Sequence, residues 1–283
     1  MHDHAATLTI DLAALAANWR LLAARVAPAS CGAVVKADAY GLGIEVAVPA
    51  LVAAGCRTFF VAHLSEGIRT RAVAPEAAIY VLNGLASGRI DIYRAHRLRP
   101  VLGSAQDIVI WAEHGAGCKP AALHIDTGMN RLGIRVEEAL AFAAQPLADH
   151  GIGLTMTHFV ASEEPGAAIT ARQHEAFSRV QAALRAPGSP NADVPASIAN
   201  SSAHFIENLP VFDLTRPGYA LYGGNPTPGK PNPMQPVIRL EAPIVHEVGV
   251  GPDREYPVVA RACKGLAGED AELADLVSGQ VDA

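Results

Sequence analysis

Eight short apolar runs, each ending in a polar residue or glycine, constrain this chain more than any other feature. They lie at 33–35, 58–62, 79–82, 100–102, 121–125, 154–157, 196–199 and 211–215. Most lack the apolar–polar alternation of a half-exposed strand, which is how a strand buried on both faces reads. Between them lie amphipathic stretches at 45–54, 65–73, 105–114, 137–148, 169–184 and 202–208 that read as helices. About eight strand–helix units in this order predict an α/β fold, a TIM-type (β/α)8 barrel, ahead of an open doubly wound sheet. Half of the 283 residues are hydrophobic, enough for a large core. Ahead of the first unit, 7–10 alternates as a strand would. Asp11 is placed to cap a helix over 12–26 with Leu12, Leu15, Trp19 and Leu22 on one stripe, and Pro28 ends it.

A barrel of this kind carries its chemistry at the C-terminal ends of its strands. The unusual polar residues fall there: Lys36, His63, Asn83, Asp126 through Arg131, His158, Asn200 with Ser201, and Arg216. After Tyr222 the composition changes. The stretch 223–233 is too rich in glycine and proline for a helix or a central strand and reads as a linker. Strands are expected at 237–240 and 244–250, and a short helix at 270–277. The expected organisation is a barrel over 1–230, with 1–10 offering a strand to the second domain. A partial, β-rich C-terminal domain with an atypical tail is expected over 231–283.

A net charge of −6 gives no reason to expect nucleic acid or an anionic membrane as partner. No apolar run is long enough to span a bilayer, and Met1-His2-Asp3-His4 does not open a secretory signal. Cys31, Cys56, Cys118 and Cys263 are too far apart for a metal-type pair and read as reduced thiols of a cytoplasmic protein. The histidines at 2 and 4 read as part of a disordered terminus rather than a metal site.

Lys36 closes the run Ala33-Val34-Val35, with Gly41 and Gly43 marking a turn beyond it. A lysine at a buried strand end is expected to be partly desolvated, which disfavours its ammonium form and frees an amine able to form a Schiff base with an aldehyde. The plainer alternative is a lysine that snorkels to solvent. Its surroundings, Val35-Lys36-Ala37-Asp38-Ala39-Tyr40-Gly41-Leu42-Gly43, resemble the cofactor-lysine motif of alanine racemases, the fold-type III pyridoxal-phosphate enzymes, which usually have histidine where this chain has Leu42. Two further stretches are similar to the same family: Asp126-Thr127-Gly128-Met129-Asn130-Arg131-Leu132-Gly133 and Arg216-Pro217-Gly218-Tyr219-Ala220-Leu221-Tyr222-Gly223. The resemblance runs from about residue 7 to 250.

That resemblance implies pyridoxal 5'-phosphate bound through Lys36. It implies Arg131 facing the cofactor's phenolic oxygen and the substrate carboxylate, a task suited to a rigid, always-charged fork of donors. Arg216 would meet the pyridine nitrogen, with His158 orienting it. Ser201, the backbone of Gly218 and Tyr219, and the Tyr40 hydroxyl would hold the phosphate. Some family members carry a carbamylated lysine where this chain has His124, a modification histidine cannot undergo. The implied activity is interconversion of L-alanine and D-alanine, which supplies peptidoglycan precursors. Lys36 would be one acid–base group. The family's other is a tyrosine of the partner subunit in a Gly-Tyr-x-Asp-Gly setting that this sequence lacks. Tyr256, the only tyrosine beyond Tyr222, sits in Asp-Arg-Glu-Tyr-Pro instead. The family's homodimer is therefore expected in weakened form. Alternatives are a pyridoxal-phosphate-binding protein without turnover and a racemase of another small amino acid. A decarboxylase of the same fold type is disfavoured by the Asp126–Gly133 motif.

Overall fold

Side chains of the short apolar runs divide into two separate cores in the computed structural model, which describes residues 6–164 and 166–242. Val34, Phe60, Tyr80, Val101, Ala122, Leu154, Met156 and Leu214 form one cluster, drawn from strands all round a ring. Their immediate neighbours Ala33, Val35, Phe59, Val61, Ile79, Leu102 and Leu123 belong to the other, packed under the helices. Alternation with a period of two, buried on both sides, is the pattern of a filled β/α barrel.

In chain order, β1 (Thr7–Ile10) leads into α1 (Leu12–Val26), followed by β2 (Ser30–Cys31) and β3 (Ala33–Val34). Next come α2 (Lys36–Tyr40), α3 (Ile44–Ala54), β4 (Thr58–Val61), α4 (Leu64–Val73), β5 (Ala78–Val81), α5 (Ile90–Ala95), β6 (Arg99–Leu102) and α6 (Ala105–His114). The chain continues through β7 (Ala121–Asp126), β8 (Ile134–Arg135), α7 (Val136–Ala141), β9 (Ile152–Met156), α8 (Ala168–Leu184), β10 (Ala196–Ser197), β11 (Leu214–Thr215) and β12 (Ile238–Glu241). Pairing runs β3-β4-β5-β6-β7-β9-β10, and β11 pairs with β2. The ring closes where the amides of Asp213 and Arg216 donate to the carbonyls of Ala196 and Ala199, at 3.0 and 2.8 Å. Gly32 divides β2 from β3. A Cβ there would lie 3.0 Å from the Phe60 ring and 3.1 Å from the carbonyl oxygens of Thr58 and Thr215, so only glycine lets the neighbouring strands approach.

Helix α1 begins as its sequence requires: the Asp11 carboxylate accepts from the Ala14 amide at 2.9 Å, and Leu15, Trp19, Leu22 and Val26 are buried. Other expectations need correction. The helix expected over 137–148 ends at Ala141 and continues as two 3₁₀ turns, Phe142–Ala144 and Leu147–His150. Pro146 cannot donate within a helix, and the Leu147 amide donates to Asn191 Oδ1 at 2.8 Å instead. The helix expected over 202–208 is a single 3₁₀ turn, Ser202–Phe205.

The stretch after Tyr222 is irregular, as its glycines and prolines require, but it is a strap rather than a free linker. Met234 and Val237 are buried. The Asn18 side chain donates to Gln235 O at 2.9 Å and accepts from Gln235 N at 2.8 Å. The chain divides into a compact unit over Leu8–Arg239, which holds the barrel, and a second unit of Met1–Thr7 with Leu240–Ala283. The strand expected at 237–240 is β12, which pairs with β1. The expected strand at 244–250 and helix at 270–277, together with Tyr256, lie outside the described residues. Among the described residues no helix is long and apolar enough to cross a membrane.

Candidate active site

Two positions beyond the inward-facing core residues of four strands stand Lys36, His124, His158 and Arg216. Strand alternation therefore sends all four toward the C-terminal mouth of the barrel, as Val34, Ala122, Met156 and Leu214 face its interior below them. Arg216 is the most enclosed of these residues, 3 % exposed. Its guanidinium donates to Ser197 Oγ and to the carbonyl of Thr157, lies 3.4 Å from His158 Nδ1 and stands over the Phe60 ring at 5.9 Å. All of these partners are neutral, and burial pulls its pKa down to about 9, so it remains a cation at neutral pH.

His158 is half-buried, and its pKa falls to about 3, first through desolvation and then through the charges of Arg216, Arg131, His124 and Lys36. The same imidazole thus feels every cation named from the sequence. His124 is buried, and desolvation followed by the Arg216 and Arg131 charges lowers its pKa to about 4, against the pull of Asp126. Both histidines are neutral at pH 7. Arg131 is exposed on the loop after β7. One oxygen of Asp126 shapes that loop by accepting from the amides of Gly128, Met129 and Asn130 at 2.9, 2.9 and 3.1 Å.

Beside this group lies a cluster of hydroxyls and amides. Ser201 is buried, and its Oγ accepts from Gly218 N at 2.9 Å and Ala220 N at 3.3 Å. The Tyr219 hydroxyl is hydrogen-bonded to Ser202 Oγ. Tyr40 stacks on Tyr222 with ring centroids 4.6 Å apart, and the Tyr222 hydroxyl donates to Val34 O at 2.9 Å. A Cβ on Gly218 would fall 2.5 Å from the Tyr40 hydroxyl, so glycine lets that hydroxyl approach the backbone. The single 3₁₀ turn after Ser201 has little dipole to offer an anion, and the Gly218 and Ala220 amides already donate to Ser201 Oγ, so the nearby donors are the Ser201 and Tyr40 hydroxyls.

Lys36 also differs from expectation, being exposed among the described residues rather than desolvated, because the buried run ends at Val35. The turn it begins is unusual. Ala37, Asp38, Ala39 and Tyr40 all adopt left-handed backbone, with φ of 51 to 55°, before Gly41 at 90°. For residues other than glycine this conformation costs on the order of 1–2 kcal/mol each. Sequence reading missed the residue that faces this turn, Glu66 of α4. The available signal was its position three residues after His63, the spacing of a capping box.

Residues 10–226 match the family model for the N-terminal domain of alanine racemase. The chain is 55% identical over 256 residues to the alanine racemase of Methylobacterium sp. (strain 4-46), covering 88% of this chain and 68% of that protein. It is 51% identical over 243 residues to the alanine racemase of Acidiphilium cryptum, covering 84% and 66% respectively. Among solved structures, the alanine racemase of Bartonella henselae with covalently bound pyridoxal phosphate superposes with a TM-score of 0.77 at 37% identity, covering 85% of this chain and 70% of that one. The alanine racemase of Acinetobacter baumannii gives a TM-score of 0.77 at 26% identity, covering 88% and 71%.

Proposed function

Because the chain belongs to the alanine racemase family of pyridoxal-phosphate-dependent isomerases, we propose that the barrel mouth is the site where it interconverts L-alanine and D-alanine. The chain spans about two thirds of the length of the relatives it matches, 68% of the Methylobacterium protein.

The residues at the mouth fit the cofactor. A buried guanidinium whose partners are all neutral suits the ring nitrogen of a pyridine, a neutral acceptor, and this observation carries the reading. The hydroxyls of Tyr40 and Ser201, gathered against the backbone of Gly218, suit a phosphate. When bound, pyridoxal phosphate supplies an aldehyde for the lysine amine and an electron-withdrawing ring that stabilises negative charge at the substrate α-carbon.

The chain's own side chains would then act as follows. Lys36 holds the cofactor and moves a proton on one face of the α-carbon. Arg131 grips the substrate carboxylate. Arg216 donates to the ring nitrogen without surrendering its proton, which keeps the ring a moderate rather than strong electron sink and favours return of the α-proton. His158, neutral and beside Arg216, helps to hold it. Ser201, the amides of Gly218 and Tyr219, and the Tyr40 hydroxyl bind the phosphate. Val34, Ala122, Met156 and Leu214 lie beneath these groups as an apolar floor.

The deciding experiment is a D-alanine assay on purified chain loaded with pyridoxal phosphate. D-alanine formed from L-alanine supports the reading. Cofactor uptake without D-alanine would make the chain a binding protein without turnover, a reading favoured by the unmatched setting of Tyr256. Faster turnover of serine would move the substrate to another small amino acid.

Arg216→Met tests the carrying observation. A buried charge without a countercharge is costly, and relieving it offsets the loss of the donor to Thr157 O and Ser197 Oγ when an apolar residue of similar volume replaces it. The melting temperature of the cofactor-free protein should hold or rise. Racemisation should fall roughly 10²–10³-fold, the usual effect of removing a preorganised donor. A large stability loss with racemisation retained would refute the assignment.

We read the assembly as a homodimer, weakened here, in the cytoplasm. Leu8 and Ile238 are 55% and 45% exposed, leaving apolar surface for a second subunit. Among the described residues Cys31, Cys56 and Cys118 form no disulfide. Sedimentation velocity should show a concentration-dependent monomer–dimer equilibrium. A dimer that persists on dilution to the nanomolar range would contradict weakening.

A further inference from the structure

The left-handed turn after Lys36 needs something outside itself to hold it. Its internal hydrogen bonds, such as Gly41 N to Ala37 O at 3.0 Å and Gly43 N to Asp38 O at 2.9 Å, are those any tight turn makes. Of Ala37-Asp38-Ala39-Tyr40 only the aspartate is of a type that visits φ > 0 readily, and its Oδ1 accepts from the Ile44 amide at 3.0 Å, which leaves the two alanines and the tyrosine strained. The Asp38 amide points away from the turn to Glu66 Oε1, at 3.2 Å. The other oxygen of the same carboxylate takes the amides of Ala62 at 2.8 Å and His63 at 3.1 Å, at the end of the neighbouring strand. Glu66 is buried, so these bonds are formed where water competes poorly. One carboxylate therefore ties the Lys36 turn to the β4–α4 junction. A second tie, the Asp38 carboxylate with Arg69 Nη2 at 2.7 Å, joins groups 49% and 41% exposed, where ion pairs contribute little.

We propose that Glu66 is a positioning residue for the reaction, holding the turn in its left-handed form so that Lys36 at one end and Tyr40 at the other face the same mouth. The inference rests on the reading of Lys36 and Tyr40 as cofactor residues. Tyr40 is stacked on Tyr222 beside Gly218, so relaxation of the turn would displace the phosphate hydroxyl and the amine together.

Glu66→Gln tests it in the full chain, since an amide nitrogen must replace one of the two accepting oxygens. Two measurements are made. Hydrogen exchange of the cofactor-free protein over 36–43 should quicken about tenfold or more, as loss of a hydrogen bond to a charged group implies. Affinity for pyridoxal phosphate, read by absorbance titration and by borohydride trapping at Lys36, should weaken by about the same factor. Arg69→Ala should change both less than about threefold.

Adding Ala37→Gly separates positioning from simple capping of α4. Ala37 is exposed, and glycine enters the left-handed region without the Cβ penalty. The double variant should recover most of the lost affinity. A residue that merely caps α4 would not be rescued this way. Unchanged exchange and affinity in Glu66→Gln overturn the proposal, as does a loss that Ala37→Gly leaves untouched. If Glu66→Gln does not fold, Glu66→Asp, one methylene shorter, is read by the same criteria. Failure of the unsubstituted protein to trap the cofactor at Lys36 would defeat the site assignment, and the exchange measurement would still decide the role of Glu66.

Discussion

Lys36→Ala should abolish covalent uptake of pyridoxal phosphate and lower D-alanine formation by roughly 10³-fold or more. A positioned acid–base group alone contributes about 10²–10⁴, and covalent attachment of the cofactor is lost with the amine. The fold should not suffer. Lys36 is exposed, so no core contact or buried charge is removed, and the melting temperature should stay close to that of the unsubstituted chain. Borohydride reduction followed by peptide mapping reads the result directly. Three other lysines, Lys119, Lys230 and Lys264, are available for adventitious attachment. A variant that still carries reducible cofactor on one of these and still makes D-alanine at the original rate would remove Lys36 from the mechanism.

Acid should begin to unfold the cofactor-free protein at about pH 6, before its carboxylates titrate. His124 and His204 are buried, with pKa values lowered to about 4, and His158 to about 3. Desolvation is the first cause in each. For His204, Arg25 adds to it, against a hydrogen bond with the carbonyl of Asn200 at 2.7 Å. The unfolded chain protonates these rings near 6.5, whereas the folded chain keeps them neutral. Stability is therefore full above about pH 6.5 and falls as pH drops toward the folded values. At pH 5 each histidine costs about 2 kcal/mol, and the three together on the order of 4–6 kcal/mol, much of a domain's usual margin. A circular-dichroism titration should show the transition between about pH 6 and 4.5. Resonances assigned to His124, His158 or His204 that titrate near 6.5 in the folded protein would show that these rings are not held neutral.

Much of this was legible in the chain. The periods of two and 3.6 place strands and helices in the right order, and the helices at 12–26 and 105–114 appear with both expected ends. Polar residues closing apolar runs mark Lys36, His158 and Arg216 as mouth residues, because a strand's alternation continues past its last core residue. The break at Pro146 was visible as a proline, but the partner that takes the freed amide, Asn191, lies 44 residues away.

Local patterning thus settles which segments are strands and helices, and which polar groups stand at their ends, since those depend on neighbours within a few residues. The tertiary structure decided the hand of the turn after Lys36, the exposure of that lysine, the burial of Arg216 among neutral partners and the docking of the strap after Tyr222. The groups responsible are remote in sequence: Glu66 is 28 residues from Asp38, and Asn18 is 217 from Gln235. Hydrogen bonds of this kind form only when the closed ring brings distant segments together, so no window along the chain contains both partners.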